Sequence, residues 1–163
     1  MDMSENIGDD KLRIVKIHDG TVIDHIRAGK ALEVLKILRI TGEDGNVVSL
    51  VMNISSGKIE KKDIVKVEHR FLKDEEVARI ALVAPEATIN HIEESRLIKK
   101  YCVELPDTLT DIMQCPNQRC VTNKEREPIH SKYQVVSQKP IQLKCLYCWT
   151  LVEEKQIIEA FTS

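Results

Sequence analysis

Four of the five cysteines stand in two close pairs, and their spacing carries the clearest chemistry in the sequence. Cys115 and Cys120 form the first pair, and Cys145 and Cys148 form the second. Two short-spaced pairs on separate loops let four thiolates converge on one tetrahedral ion, and Zn²⁺ suits such a set. Four protein ligands leave no open coordination position, so the sequence predicts one structural zinc ion rather than a catalytic one.

Three other uses of the paired cysteines remain open: an iron–sulfur centre, a disulfide pair, or unpaired residues of a core. A disulfide would need an oxidising compartment, and nothing in the sequence suggests one. Zinc is the preferred interpretation because a short segment around the pairs would be only marginally stable without a cross-link. Metal binding supplies the missing folding energy. Arg119, Lys124 and Lys144 lie nearby in sequence and offer positive charge to four thiolates.

A second metal motif is incomplete. His91 and Glu93 match the H-x-E part of a zinc deaminase signature, which is paired with P-C-x-x-C. Here Lys144 rather than a proline precedes Cys145, and the paired cysteines already complete a ligand set. The sequence also contains no Gly-rich phosphate loop. A zinc enzyme, which would need an open metal position, is therefore a minor alternative.

The composition excludes several classes of protein. The 163 residues carry 24 Lys and Arg against 26 Asp and Glu, with only 4% aromatic residues. A zinc ribbon that binds nucleic acid remains an alternative, but it would need a basic, aromatic-rich face. No apolar run reaches the roughly 18 residues of a membrane-spanning helix, and the acidic start lacks the pattern of a signal peptide. We therefore expect a cytoplasmic protein with neither membrane nor nucleic acid among its partners.

The hydrophobic pattern before residue 105 predicts a ferredoxin-like antiparallel sheet covered by two helices. Residues 1–10 are polar, which predicts a flexible tail. The predicted order is β-α-β-β-α-β with one added strand. Strands are expected at 12–17, 47–54, 62–68, 87–92 and 96–103, and helices at 28–40 and from 74 to the proline at 85.

A change of composition after Leu105, Pro106 and Asp107 marks a linker. The sequence then predicts two domains, 11–105 and 106–163. The second holds the four paired cysteines and four prolines and shows no long helical period. We expect an α+β protein in which the second domain is small, all-β and zinc-binding.

Several polar residues interrupt apolar strand positions in the first domain. They are Asp24, His25, Lys66, Asn90 and Lys100. Each has an ordinary explanation, because a lysine in a strand usually faces solvent and an aspartate often braces a turn. Taken alone, these residues do not establish a ligand site.

Four segments together resemble the regulatory chain of aspartate carbamoyltransferase. They are G-T-V-I-D-H-I at 20–26, K-D-I-V-K-V-E at 62–68, L-V-A-P-E-A-T-I-N at 82–90, and the four-cysteine series. The similarity spans about residues 11–155. An Asp-His segment combined with this cysteine module is highly specific for the family.

The resemblance implies a regulatory subunit in pyrimidine biosynthesis with no catalysis of its own. Its first domain would bind nucleoside triphosphates: CTP, often with UTP, as inhibitor and ATP as activator. Its second domain would hold zinc and contact the catalytic chain. Regulatory chains of this family pair through their first domains, and the dimers bridge catalytic trimers.

The resemblance also implies a nucleotide site, carried over by position. His25 and Lys100 would face the phosphates, and Asp24 and Lys66 would meet ribose or base. Asn90 can both donate and accept hydrogen bonds, which suits base or phosphate recognition. Apolar and backbone contacts would come from Ile14, Ile17, Val22, Ile92 and Leu97.

Overall fold

The computed structural model describes residues 16–55, 57 and 60–162. The predicted tail at 1–10 and Ile14 lie outside these residues, as does most of the predicted strand at 12–17. The described end of that segment, Lys16 and Ile17, has no regular structure. The first strand that the structure describes is Gly20–Arg27, which pairs with a strand on each side.

The first sheet contains five antiparallel strands in the spatial order β2-β3-β1-β4-β5. The element order along the chain is β-α-β-β-α-β-β, as the sequence predicts. The first six elements give the ferredoxin-like arrangement, and β5 extends it beside β4. The elements are β1 (Gly20–Arg27), α1 (Ala31–Ile37), β2 (Val48–Ser55), β3 (Lys61–Glu68), α2 (Asp74–Val83), β4 (Thr88–Glu93) and β5 (Arg96–Cys102).

Helix α1 is shorter than the predicted 28–40. Gly29 has a φ of +89°, and Arg39 has a φ of +53°, so neither continues a right-handed helix. After the last turn, the amide of Ile40 donates to the carbonyl of Leu35 at 2.9 Å, which satisfies a terminal carbonyl. Apolar periodicity alone did not reveal these two breaks.

Both helices cover one face of the first sheet. Their buried residues, including Val34 and Ile80, share one core with Ile23, Val65 and Ile89 from three central strands. Side chains alternate between the two faces of a strand, so the residues between these core positions project from the opposite face. We call that opposite face the outer face.

A β-bulge in β1 changes this alternation at two polar residues. Ile23 pairs with Val65 and Ile26 with Asp63, so Asp24 and His25 together oppose a single residue of β3. Ile23 and Ile26 are both fully buried. His25 takes a φ of +55°, and both polar side chains therefore project from the outer face.

A buried carboxylate fixes the sheet to the start of α1. Asp63 is fully buried and accepts hydrogen bonds from the amides of Gly29 at 2.8 Å, Ala31 at 3.1 Å and Asn53 at 2.8 Å. Asn53 lies in a second bulge, where β2 carries one more residue than β3. One side chain thus satisfies three backbone donors that regular pairing leaves open.

The second sheet is the all-β unit that the sequence predicts. Its antiparallel order is β6-β7-β8-β9, around a core that includes Tyr133, Leu143 and Val152. The strands are β6 (Thr108–Thr110), β7 (Lys132–Gln138), β8 (Ile141–Cys145) and β9 (Leu151–Glu153), with a short 3-10 helix at Val121–Asn123.

A third helix, α3 (Glu154–Thr162), follows β9 and was not predicted. Ile157 is fully buried in the core of the second sheet, while Ile158 packs against the core of the first. Leu82 of α2 is likewise buried in the second core. Helices α2 and α3 therefore join the two sheets through apolar contacts. None of the described helices has the length and apolar content needed to span a membrane.

Candidate functional site

The four paired cysteines converge in the second unit, as their spacing predicts. Their Sγ atoms all lie within 4.8 Å of one another. Cys115 and Cys148 approach to 3.6 Å between Sγ atoms, and Cys120 and Cys145 approach to 3.8 Å. These distances are far beyond a disulfide bond of about 2.05 Å, so the predicted alternative of disulfide pairs is wrong. Each cysteine pair comes from a separate loop.

Local hydrogen bonds shape the first loop. The Asn123 side-chain amide donates to the carbonyls of Cys115 and Asn117, both at 2.8 Å. The amide of Cys120 donates to the same Asn117 carbonyl at 2.9 Å. The polar residues between Cys115 and Cys120 therefore form a tight turn that directs both thiols to one point.

The second loop leaves the end of β8 and returns as β9. The amide of Cys145 donates to the carbonyl of Thr150 at 2.9 Å, and the amide of Trp149 donates to the carbonyl of Cys145 at 2.9 Å. Trp149 has a φ of +63°, which reverses the chain. This reversal brings Cys148 back beside Cys145.

The surroundings of the thiols shift their pKa values in different directions. Burial raises the pKa of Cys115 and of Cys145. Burial also disfavours the thiolate of Cys148, but hydrogen bonds from Thr150 outweigh it and lower the pKa to about 6. The Thr150 hydroxyl lies 3.2 Å from Cys148 Sγ, and the Thr122 hydroxyl donates to Cys120 Sγ at 3.1 Å. Hydrogen bonds therefore favour the thiolate at Cys148, whereas burial disfavours it at Cys115 and Cys145.

His91 does not join this cluster. Among the described residues, the group suited to a metal is the four cysteines alone. His91 Nε2 lies 2.9 Å from Glu93 Oε1, and its ring stacks on Phe71 with 4.1 Å between centroids. The H-x-E match is therefore part of a local contact of His91 with Glu93 and Phe71.

Three of the polar residues singled out in the first domain line up across the outer face. Lys66 of β3 lies opposite Val22 of β1, Val22 lies opposite Asn90 of β4, and Asn90 lies opposite Lys100 of β5. Directly opposed residues on neighbouring strands project from the same face. The strand register thus places Lys66, Asn90 and Lys100 in one row with the apolar Val22 between them.

A second row lies beside the first and contains Asp24 and His25. Asp24 lies opposite Thr88, and His25 Nδ1 lies 3.2 Å from the Thr88 hydroxyl. Lys62 Nζ lies 2.9 Å from Asp24 Oδ1. The backbone amide of His25 also donates to Asp24 Oδ1, at 2.6 Å. The bulge in β1 makes this grouping possible because it turns two successive residues to one face.

Burial and charge act on the ionisable groups of this face. Burial raises the pKa of Asp24, but the Lys62 ammonium and the His25 amide outweigh burial and leave that pKa lowered. Burial lowers the pKa of Lys66, and the nearby Asp24 carboxylate partly opposes it. Lys62, Lys66, Lys100 and His25 share the face with the carboxylates of Asp24 and of Glu68, which lies two residues after Lys66 on β3. The lysines outnumber the carboxylates, so the face suits an anionic ligand with polar groups.

Two of the apolar positions predicted from the resemblance, Ile92 and Leu97, lie beside the row on this face. Ile92 of β4 lies opposite Leu97 of β5 on one strand pair and opposite Gly20 on the other. Leu97 is 55% exposed, and Ile17, just before β1, is buried. Gly20 has no side chain to cover Ile92. Ile14 lies outside the described residues.

Sequence reasoning missed Lys62 and Thr88. The signal for Lys62 is its place four residues before Lys66 on the same strand, since residues of even separation share a face. Thr88 is found only from its pairing with Asp24. Strand register, which the sequence does not state, was needed for both.

Comparisons with known proteins agree over both units. Residues 12–104 match the family described as the aspartate carbamoyltransferase regulatory chain, allosteric domain. Residues 107–158 match the metal-binding domain of the same regulatory chain. Both families describe a regulatory and not a catalytic chain.

Curated relatives carry the same name. The aspartate carbamoyltransferase regulatory chain of Hyperthermus butylicus is 51% identical over 148 residues, covering 91% of this chain and 92% of the relative. That of Thermofilum pendens is 51% identical over 152 residues, covering 93% and 96%. That of Pyrococcus abyssi is 46% identical over 149 residues, covering 91% and 97%. With both halves matched, the chain belongs to the family of aspartate carbamoyltransferase regulatory chains.

Proposed function

We propose that this chain binds nucleoside triphosphates on the outer face of its first sheet and transmits their effect to the catalytic chains of aspartate carbamoyltransferase. CTP, UTP and ATP are the proposed effectors, in the control of pyrimidine biosynthesis. The observation that carries the proposal is the row of Lys66, Asn90 and Lys100 across three strands. Antiparallel sheets often carry polar residues on a solvated face, so the row supports the proposal through its chemistry, two lysines and an amide around Val22.

The chemistry of the face fits a triphosphate. Lys100 is exposed and, with His25, supplies donors for phosphate oxygens, while Lys66 and Asp24 lie nearer the centre of the sheet and suit ribose or base. Asn90 Nδ2 makes only a long contact of 3.4 Å to the Val22 carbonyl, so its amide remains able to bind a base or a phosphate. Val22, Ile92 and Leu97 offer apolar surface for the nucleotide.

The proposed metal is one Zn²⁺ with Cys115, Cys120, Cys145 and Cys148 as its ligands. Four sulfurs at about 2.3 Å from a tetrahedral centre are about 3.8 Å apart. The Sγ separations of 3.6 Å between Cys115 and Cys148 and 3.8 Å between Cys120 and Cys145 agree with that spacing. Zinc would complete the fold of the second unit and hold the two loops together.

Exposed apolar residues next to the cysteines support docking to the catalytic chain. Trp149 is 74% exposed, and Leu146, Tyr147 and Leu151 are each at least 40% exposed. Such a group on the two sides of the second loop is typical of a protein interface. We propose that the domains are 11–105 and 106–163, that the second contacts catalytic trimers, and that regulatory chains pair through the first. We place the assembly in the cytoplasm.

Reconstitution tests this function. Catalytic trimers of the same organism are mixed with the zinc-loaded chain, and carbamoyltransferase activity is measured with and without CTP or ATP. We expect an effector response that trimers alone lack, because an effector acts only through its different affinity for two states of the assembly. A complex that forms but ignores both nucleotides would contradict the proposed regulation.

A further inference from the structure

We propose that Asp63 is a positioning residue for the nucleotide site: by tying the chain beyond β1 to β3, it holds Asp24 and His25 on the outer face. This inference rests on the proposed function and deepens it, because it names a residue that acts on the site without touching it. Asp63 is fully buried and follows Lys62 on β3, so its side chain points to the helix-covered side of the sheet. A nucleotide on the outer face cannot reach its carboxylate.

The bulge in β1 decides which way His25 faces. Up to Ile23 the pairing with β3 is regular, and a regular strand would go on to place His25 opposite Asp63. In the observed register it is Ile26 that lies opposite Asp63, one residue later. A slip of one residue exchanges the two faces of a strand, so the regular register would turn His25 toward the helices and Ile26 toward the outer face. The polar groups of the outer face therefore depend on the shifted register.

The carboxylate of Asp63 holds the chain in this shifted register. Its Oδ2 atom accepts hydrogen bonds from the amide of Gly29 at 2.8 Å and from that of Ala31 at 3.1 Å, just beyond the end of β1. One residue along a strand spans about 3.4 Å, so a slip of β1 to the regular register would break both hydrogen bonds. Burial of Ile26 favours the same register, and the two effects act together.

The same carboxylate holds a second bulge, on the other side of β3. Met52 and Asn53 of β2 together face the position of Asp63, and the Asn53 amide donates to Asp63 Oδ1 at 2.8 Å. Asn53 and His25 have φ values of +58° and +55°, a region that residues other than glycine seldom occupy. Such conformations persist only where the surroundings hold them in place. Asp63 bonds β2 at its bulge and the chain just beyond the bulge of β1.

The consequence for the outer face is that the bulge residues keep their contacts there. His25 Nδ1 lies 3.2 Å from the Thr88 hydroxyl, and a regular strand would turn the ring away from it. Asp24 Oδ1 lies 2.9 Å from Nζ of Lys62, the residue just before Asp63. Asp63 thus orders the site from the opposite side of the sheet, and its loss acts on nucleotide binding as well as on the fold.

The main variant is Asp63→Asn, which keeps the size of the side chain but replaces one oxygen by an amino group. Two donors cannot bond each other, so either the Asn53 amide or the pair at Gly29 and Ala31 loses its acceptor. Part of the tie is therefore lost without removal of the side chain.

Two readouts follow the effect of Asp63→Asn in the full zinc-loaded chain. The nuclear Overhauser contact between the His25 ring and the Thr88 side chain should weaken. The Kd values of CTP and of ATP, measured by calorimetry, should rise roughly tenfold, as for the loss of one charge-assisted hydrogen bond to phosphate.

The matched control is Ile80→Val, which shortens a fully buried side chain of α2 in the same core. It should lower the melting temperature because a methyl group of the core is lost. The contact between His25 and Thr88 and both Kd values should stay as in the unmodified chain. A merely structural role of Asp63 would give the same result for Asp63→Asn: lower stability, with unchanged affinity while the chain is folded.

If Asp63→Asn does not fold, a titration of the unmodified chain with CTP takes its place, followed through backbone amide NMR shifts. A ligand whose affinity depends on the tie must in turn act on the tie, because coupling between two sites is reciprocal. The amides of Gly29, Ala31 and Asn53 should shift together with that of His25, whereas the amide of Ile80 should not.

The proposal is overturned if Asp63→Asn keeps the contact between His25 and Thr88, or if it loses that contact and binds both nucleotides as tightly as before. In the titration of the unmodified chain, unmoved amides at Gly29, Ala31 and Asn53 overturn it equally. If the unmodified chain binds neither nucleotide, the proposed function fails. The contact between His25 and Thr88 in Asp63→Asn then still decides whether Asp63 positions the bulge residues.

Discussion

At the scale of residues, Asp24 and His25 place a carboxylate and an imidazole on the outer face. The carboxylate of Asp24 is half-buried and lies 2.9 Å from Lys62 Nζ. Residue type alone identified Asp24, His25, Lys66, Asn90 and Lys100 as unusual among apolar neighbours. Lys62 was missed because its place four residues before Lys66 does not by itself distinguish it from an ordinary exposed lysine, whereas the observed 2.9 Å ion pair does.

Substitution of Asp24 by Asn should reduce stability in a pH-dependent way. The folded-state pKa of Asp24 is lowered, so its contribution is present above the unfolded pKa near 3.9 and is lost as the pH falls through the folded value. We expect Asp24→Asn to cost up to about 1 kcal/mol at pH 7 and less below pH 4. Urea unfolding of both chains between pH 7 and pH 3.5 measures the difference.

The matched control is Asp107→Asn, at an exposed position in the linker. It should leave the free energy of unfolding nearly unchanged at both ends of the range. An Asp24→Asn deficit that grows as the pH falls would contradict the assigned ion pair.

At the scale of elements, alternating patterns predicted four of the five strands of the first sheet to within about one residue. Most of the predicted strand at 12–17 lies outside the described residues, and its described end, Lys16 and Ile17, has no regular structure. The strand Gly20–Arg27 is disguised by its bulge, since Asp24 and His25 break the alternation. Helix α3 was missed because much of its apolar face is defined by packing between the two units.

Gly20 limits how closely β1 and β3 can approach. It has a φ of +147°, and a Cβ atom there would lie 2.2 Å from the carbonyl oxygen of Val67 on β3. We expect Gly20→Ala to cost about 2 kcal/mol or more, because the strands would have to separate. Thermal unfolding monitored by circular dichroism measures the loss.

Gly42→Ala provides the comparison for Gly20→Ala. Its φ is +82°, but a Cβ atom would meet nothing within 4 Å. Only the backbone strain of about 1–2 kcal/mol is then expected. Equal losses at the two positions would show that conformation rather than the contact with Val67 dominates at Gly20.

At the scale of the whole molecule, the two units are joined by both apolar and ionic contacts. Leu82 and Ile157 are buried in the second core, and Arg27 at the end of β1 lies 3.2 Å from Glu154 at the start of α3. The strand that carries Asp24 and His25 is thus connected to the cysteine-bearing unit. Cysteine spacing predicted the metal cluster, but this connection depends on tertiary packing that no local pattern encodes.

Loss of one metal-binding cysteine should abolish assembly but leave the first sheet folded. We expect Cys145→Ser to abolish the complex with catalytic trimers, because metal loss releases the second loop, which carries the exposed apolar residues. The first sheet should remain folded, since its core is largely its own. Sedimentation of mixtures with catalytic trimers measures assembly, and hydrogen exchange measures the fold of the first sheet.

Cys102→Ser is the control for this experiment. Cys102 is exposed on β5 and stands outside the cluster. The Cys102→Ser chain should bind one zinc ion and assemble as the unmodified chain does. A stable complex formed by Cys145→Ser would contradict the structural role of the metal.

The central claim is that one face of the first sheet binds the triphosphate effectors. Calorimetric titration of CTP and ATP into the zinc-loaded chain tests it most directly, with Lys100→Ala and Lys99→Ala in parallel. Lys99 neighbours Lys100 on β5 but lies over the Tyr101 ring, whose side chain packs against the helix-covered core. The account predicts saturable, mutually competing binding that Lys100→Ala weakens for both nucleotides and Lys99→Ala does not. Binding that survives Lys100→Ala unchanged, or a loss of CTP alone, would contradict a shared phosphate site on this face.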